Sequence, residues 1–332
     1  MSETTSRHPR FDEALALHRR YPVIDGHADS ILQVLSGERS LGVESQIGHL
    51  DFPRARQAGL TATVQAAWPA PVYYPVAAKR VLGAIDALLV EIEATPNTCL
   101  ARTASDVLSA FDNGELAVIL DIEGAEALHG ELALLRGYYR LGVRILQPVW
   151  NHRNDAAEGV IEEGLPGGLS RFGQSLVREM NRLGMMLDLS HLTAPGFRDV
   201  LELSEDPVLF THGNCRALHD HRRNLTDEQI RALAARGGVF GISVVNGFMS
   251  SGQSDYHTFA DHVDHVVQLV GPDFAAYGTD FDGTDILPMG LENVTLLPNA
   301  TADLLERGYS EADLAKILGG NFLRVMREVT GS

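Results

Sequence analysis

The sequence predicts an α/β fold, a (β/α)8 TIM barrel. Residues 1–332 would form a single barrel domain with a short N-terminal extension. Three observations lead there. Short apolar, β-branched runs recur eight times, amphipathic helical patterns lie between them, and polar residues collect at the carboxyl ends of the runs. Continuous apolar strands suit a parallel sheet covered on both faces. Eight strands alternating with helices favour a closed barrel over an open sheet.

The runs are, in order, "PVIDGHAD" (22–29), "LTATVQAAWP" (60–69), "LAVILDIEG" (116–124) and "VRILQPVW" (143–150). They continue with "MMLDLSH" (185–191), "PVLFTHG" (207–213), "GVFGISVV" (238–245) and "FAAYGTDFDG" (274–283). The clearest helix is "SRFGQSLVREMNRLG" (170–184), with Ser170 as cap, Phe172, Leu176, Met180 and Leu183 on one face, and Gly184 as stop. A second, "TDEQIRALAARGG" (226–238), is capped by Thr226 and ends in paired glycines.

Composition narrows the function. The chain is 45% hydrophobic and 21% charged, with a formal net charge of -17. That field repels polyphosphates and anionic membrane surfaces, which argues against nucleic-acid and membrane partners. Two cysteines, Cys99 and Cys215, are too few for a disulfide scaffold or a Cys-rich zinc module and are expected as free thiols. The opening "MSETTSRHPRFDEALALHRR" shows no apolar leader core, and no run reaches the ~18 apolar residues of a membrane span. The expected location is cytoplasmic.

The ends of the strands carry the chemistry. His27 and Asp29 alternate about Ala28 and so project to one face of the first strand. The third strand ends in Glu123, the fifth in His191, the sixth in His212, and the eighth in Asp280 and Asp282. In a barrel these carboxyl ends meet on one face. Each residue alone has an ordinary explanation as a cap, turn or packed side chain. Three histidines and several carboxylates on the same face make a donor set suited to zinc and its borderline relatives. His262 and His265 lie on a helix and are expected outside the barrel. His8, His18, His49 and His257 read as surface or packing residues, whereas His219 and His221 lie near the mouth, within reach of a substrate. The chain has no H-E-x-x-H, G-x-S-x-G or P-loop motif, and no G-x-G-x-x-G after a strand.

The segments "VIDGHADS", "DIEGAEAL", "GGLSRFGQSLVREMNRLGMMLDLSHL", "THGNCRALHDHRRNLTDEQI", "VDHVVQLVGPDFAAYGTDFDG" and "ILGGNFLRVMREV" resemble the membrane (renal) dipeptidase family of zinc metallopeptidases, over nearly the whole chain. The resemblance implies two Zn2+ ions per chain. His27 and Asp29 would bind one, His191 and His212 the other, and Glu123 would bridge them. It implies that a water activated between the metals attacks the peptide bond of a small dipeptide, which in some relatives carries a D-residue at its C-terminal position. Asp280 would handle the proton, Arg223 would hold the substrate carboxylate, and Asp282 would orient the turn. Two departures stand out. Trp150 occupies the place of a substrate-contacting family His, with His152 two residues on, and Glu126 stands where several relatives have His in "EGGH". The same metal site acting on a β-lactam or lactone, and a metal-bound but idle binding protein, are the competing expectations. A homodimer is the expected assembly, and the native metal stays open between zinc and other divalent ions.

Overall fold

The computed structural model describes residues 7–162 and 167–331. Nine strands share one parallel sheet: β1 (Ile24–Ala28), β2 (Ala62–Ala67), β3 (Thr98–Leu100), β4 (Leu116–Glu123), β5 (Val143–Gln147), β6 (Met186–Leu187), β7 (Leu209–Gly213), β8 (Val239–Ile242) and β9 (Ala275–Tyr277). Eight follow the order β6-β5-β4-β2-β1-β9-β8-β7. The two ends meet at a parallel bridge between Asp188 and Leu209, where the Leu189 N–H donates to the Leu209 carbonyl at 2.8 Å. The result is a nearly closed (β/α)8 barrel.

Every apolar run of the sequence contains a strand. β3 is the addition: it pairs with the start of β4, Thr98 opposite Leu116 and Leu100 opposite Val118, outside the ring. Three half-buried residues are too short a run to show a period. β6 is shorter than its run, because the chain leaves the ladder after Leu187 to bring Asp188, Ser190 and His191 inward.

The helix Arg171–Leu183 begins where expected, with the Ser170 hydroxyl accepting from the Gly173 N–H at 3.0 Å and Gly184 in the left-handed region at φ 70°. Such a cap contributes about 1 kcal/mol. Its buried stripe is Leu176, Val177 and Met180, while Phe172 and Leu183 are only partly buried. The buried face is therefore narrower than the apolar pattern. Thr226 and Gln229 cap the helix Asp227–Ala235 reciprocally. His262 lies on the helix Tyr256–Val270, outside the strand ring, and is fully buried there. Its Nδ1 accepts from the Cys215 N–H at 3.0 Å and its Nε2 lies 3.2 Å from the Met249 carbonyl. Helix periodicity located the residue but not the loop that packs over it. Cys99 and Cys215 are both free thiols.

The two ends of the barrel differ. Strand residues Ile24, Ala62, Ile119, Ile145 and Val239 cluster with Phe322, Val325 and Met326 of the last helix, which closes that end with apolar packing. Above this layer the buried residues of the strands turn polar, with Asp25, Gln65, Asp121, Gln147, Asp188 and Thr211 all inside. The polar end is the one that carries the site.

Outside the barrel a buried line of contacts ties β9 to the first helix. Tyr277 Oη meets Thr301 Oγ1 at 3.0 Å, Thr301 Oγ1 meets His18 Nε2 at 2.8 Å, and His18 Nδ1 meets the Ala58 carbonyl at 2.8 Å. The carbonyl can only accept, so Nδ1 carries the proton and Nε2 accepts from Thr301. Burial holds the His18 pKa down to about 4, against 6.5 when exposed. The unfolded chain therefore takes up this proton first. Stability should fall as pH drops from about 6.5 toward 4, by on the order of 3 kcal/mol from this group. Urea midpoints measured across that range should show the loss, and His18→Gln should shrink it; an unchanged slope in the variant would exclude His18 as a source.

Candidate active site

His27 and Asp29 are brought together with Asp280 by backbone pairing. The Asp280 N–H donates to the His27 carbonyl at 2.9 Å, and the Asp29 N–H donates to the Phe281 carbonyl at 2.8 Å. The segment after β9 thus extends the ladder beside β1 and sets the two carboxylates next to each other. Glu123 ends β4, His212 sits within β7, and His191 follows β6. All six side chains are at least nine-tenths buried.

Their atoms converge on Glu123. Its Oε2 lies 3.8 Å from His27 Nε2, and its Oε1 lies 3.0 Å from His191 Nε2 and 3.9 Å from His212 Nε2. His27 Nε2 is also 3.9 Å from Asp29 Oδ2. The two oxygens of one carboxylate therefore face two different sets of histidine nitrogens. His191 Nε2 and His212 Nε2 stand 3.0 Å apart, aimed at a common point. Both ring nitrogens of His27 and Oδ1 of Asp29 are buried without a hydrogen-bond partner among the described residues. Unpartnered buried donors and acceptors are costly, and this set has the chemistry of a site for divalent cations: imidazoles and carboxylates within ligand reach of one another.

The electrostatics agree. Burial raises the pKa of Glu123 well above the carboxylate range and that of Asp29 to about 8, with neighbouring carboxylates adding to both. Asp280 is raised by burial too, although His27 and Arg223 pull it back. Burial opposes the protonation of His27, but Asp121, Glu123, Asp29 and Asp280 outweigh it and raise its pKa. His191 and His212 are lowered by burial and by the positive Arg223 and His27 nearby.

Behind these side chains stands a set of supports that strand patterns did not reveal. Asn151 Oδ1 meets His191 Nδ1 at 2.8 Å. His212 Nδ1 meets Thr211 Oγ1 at 3.0 Å, and Thr211 in turn donates to Asp188 Oδ2 at 2.5 Å. Asp121 Oδ2 lies 3.6 Å from His27 Nδ1. Alternation places Asp121 two residues before Glu123 on the same face of β4, which was the available signal. Asp282 anchors the turn: it accepts from the His49 N–H at 2.6 Å, from Arg39 at 2.6 Å, and from the Ser30 hydroxyl. His49, expected to be a surface or packing residue, accepts the Asp282 N–H at 3.0 Å and so helps hold the site loop. His191, Asp280 and Asp282 adopt φ of 69°, 63° and 67°, strained values for side-chain-bearing residues that cluster where function demands them.

A cavity of about 800 Å³ opens over this cluster, lined by Asp29, Glu123, His191, Asp280, Arg223 and Trp150 among others. Arg223 is buried, donates from one terminal nitrogen to the His212 carbonyl at 3.2 Å, and leaves Nε and its other terminal nitrogen without a hydrogen-bond partner among the described residues. His221 lines the cavity and stacks on Phe248 with ring centroids 4.7 Å apart; His219 lies outside the lining. His152 also falls outside it, 3.7 Å from Glu162 and 45% exposed, so it does not take the place that Trp150 fills. Trp68, from the end of β2, is a lining residue that sequence reasoning missed, since an aromatic at a strand end reads equally well as core.

A parallel barrel with histidines and carboxylates converging at its carboxyl-terminal mouth defines a metal-dependent hydrolase. The chain matches the membrane dipeptidase family model, peptidase family M19, over residues 11–331, and it belongs to that family. It is a metallopeptidase-fold hydrolase of peptide bonds. It is 33% identical to Dipeptidase verJ of Clonostachys rogersoniana over 96% of this chain and 86% of that protein, and 33% identical to mouse Dipeptidase 3 over 96% of this chain and 66% of that one. A crystal structure of the M19 metallopeptidase dipeptidase AC superposes with a TM-score of 0.88 at 32% identity, covering 94% of this chain and 99% of that one. A metallopeptidase from Rhodobacter sphaeroides, crystallised with a phosphinate mimic of the dipeptide L-Ala-D-Ala, superposes at 0.86 with 30% identity, covering 93% and 99%.

Gly283 gives a sharp test of the site. A Cβ there would lie 2.1 Å from Asp280 Oδ1 and 2.4 Å from Asp29 Oδ2. Both are the free ends of side chains, so they can move while the fold survives. Gly283→Ala should cut peptide hydrolysis by at least about 100-fold with a melting temperature within a few degrees of the parent; unimpaired hydrolysis would show that the two carboxylates need not sit as they do.

Proposed function

We propose that this chain is a binuclear zinc dipeptidase, in which His27 and Asp29 would hold one ion, His191 and His212 would hold the other, and Glu123 would serve both. The observation that carries the reading is the facing of the two Glu123 oxygens toward separate histidine sets. Charge supports it: Asp25, Asp29, Asp121, Glu123, Asp188 and Asp280 are all buried, and Arg223 is the permanent cation facing Asp280, Glu123 and Asp188. So many buried carboxyl groups demand further positive charge. Imidazole and carboxylate donors suit zinc. Bound there, a zinc pair lowers the pKa of a water toward neutrality and polarises the scissile carbonyl.

The chain's own groups do the rest. Asp280 takes the proton of the attacking water and returns it to the leaving amine, a role that matches its burial between His27 and Arg223. Arg223 offers its unpartnered nitrogens as a fork for the carboxylate of the C-terminal residue. Burial lowers its pKa only to about 10, so it stays charged at neutral pH. A carboxylate so close to the reacting bond restricts substrates to dipeptides. Trp150 brings a donor-only indole N–H and no base, so proton transfer falls to Asp280. The L-Ala-D-Ala mimic held by the Rhodobacter relative motivates the inclusion of D-residues at the C-terminal position.

Metal-stripped protein reconstituted with zinc and offered L,L and L,D dipeptides should turn over with about two metals per chain. Asp280→Asn should lose roughly 10²–10⁴ in kcat, and Arg223→Lys should act mainly on KM. Two bound metals with no dipeptide cleaved would overturn the substrate assignment. Because Asp29 and Glu123 hold protons more tightly than ordinary carboxylates in the metal-free site, zinc loading at neutral pH should expel protons, and affinity should weaken as pH falls. Calorimetry in two buffers of different ionisation enthalpy reads the released protons directly; a buffer-independent heat would contradict the expectation.

A further inference from the structure

The cavity has an aromatic wall that the hydrolytic step leaves without a task. Trp68 and Trp150 both line it and are only partly buried. Their rings lie with centroids 4.7 Å apart, inclined at 56°. A run of neighbours fixes where this wall stands. Arg223 donates to the His212 carbonyl at 3.2 Å, the His212 and His191 ring centroids are 5.1 Å apart, and those of His191 and Trp150 are 6.0 Å apart. Trp68 follows beyond Trp150. Strand order agrees: β7, which precedes Arg223, and β2, which leads into Trp68, stand opposite each other in the ring of eight. The tryptophans and the arginine thus occupy two ends of the cavity, with the histidines between them. The Trp68 indole nitrogen is closed to solvent and has no hydrogen-bond partner among the described residues, so Trp68 meets the cavity without its one polar side-chain group. Ile161 extends the apolar surface. Its N–H donates to the carbonyl of Asn151, next to Trp150, at 3.2 Å; it is 42% exposed and lines the cavity too.

We propose that Trp68, Trp150 and Ile161 form a subsite for the side chain of the substrate's amino-terminal residue, and that it selects apolar side chains, aromatic ones above all. A dipeptide held by its carboxylate at Arg223, with its peptide bond over Glu123 and the histidines, reaches the tryptophans with the residue on the far side of that bond. Rings pair with rings in inclined or offset packing, and the burial of apolar area adds to the gain. Alanine lacks the area. An acidic side chain gives up water for a surface of ring carbon and approaches the buried carboxylates Asp29 and Glu123. The departure at Trp150, where the family resemblance expects a histidine, thereby acquires a role: it sets side-chain preference. Placement at the amino-terminal residue rests on the dipeptidase reading; the apolar binding does not.

Trp68 and Trp150 are the two tryptophans of the whole sequence, so intrinsic fluorescence of the full chain as purified reports on this wall without any need for turnover. L-phenylalaninamide, L-leucinamide, L-alaninamide and L-lysinamide share the α-ammonium and the amide and differ only in the side chain. Phenylalaninamide should give a saturable change with an affinity about tenfold or more tighter than alaninamide, with leucinamide also ahead of alaninamide. Trp150→Ala, read through Trp68, should shrink that ratio to below about threefold, whereas Trp150→Phe, which keeps a ring, should retain most of it. Equal affinities across the four amides, lysinamide as the tightest, no saturable response, or an unchanged preference in Trp150→Ala would each overturn the subsite. Hydrolysis of Ala-Ala by the same protein judges the dipeptidase reading separately, so either can fail while the other stands. Where Ala-Ala is cleaved, Phe-Ala should exceed it in kcat/KM by a factor that Trp150→Ala removes; a gain confined to Ala-Phe would refute the placement at the amino-terminal residue.

Discussion

Buried negative charge at one end of the barrel is the constraint that the rest of the structure answers. Six carboxyl groups lie inside, and each either has a local solution or waits for a cation. Asp25 accepts from the Thr279 N–H and hydroxyl at 2.7 and 2.8 Å. Asp188 accepts from Ser190 and Thr211. Asp121 faces the His27 ring and the Gln147 amide. Asp29, Glu123 and Asp280 have no comparable set of donors and point into the cavity. Burial raises their pKa, so they hold protons until a positive ligand replaces them, and the imidazoles beside them suit a divalent metal ion.

The apolar end of the barrel makes this arrangement affordable in structural terms. Packing of the last helix against the strand starts closes that end with Phe322, Val325 and Met326, so the polar layer does not have to contribute to the core. The strain of the site is likewise held from outside. His191, Asp280 and Asp282 sit at positive φ, and the bonds from Asp282 to Arg39, Ser30 and the residue 49 amide tie the strained turn to a distant loop. Preorganisation of this kind keeps reactive groups in place before any ligand arrives.

Much of the fold was legible because buried parallel strands leave a repeated chemical mark. The eight apolar runs all contain strands, and the caps Ser170 and Thr226 mark true helix starts. β3 escaped because three half-buried residues carry no period. The burial of His262 was not legible because helical periodicity says which residues share a face and nothing about the loop that will cover it. Asp188, Thr211 and Asn151 support the histidines through contacts that join segments far apart in sequence, 40 residues in the case of Asn151 and His191. Trp68 remained silent for the same reason, since an aromatic at a strand end is ordinary until it is seen lining the cavity.

By itself, then, the sequence determined the barrel, the end of the barrel that would carry chemistry, and the residue types that would do it, because strand alternation and strand polarity act over a few neighbouring residues. Only the tertiary structure decided that the two oxygens of Glu123 face different histidines, that His152 turns away while Trp150 enters the cavity, and that Glu126 is buried. Those are distances between segments, set by how strands twist, close and are crossed by loops, and no local pattern encodes them.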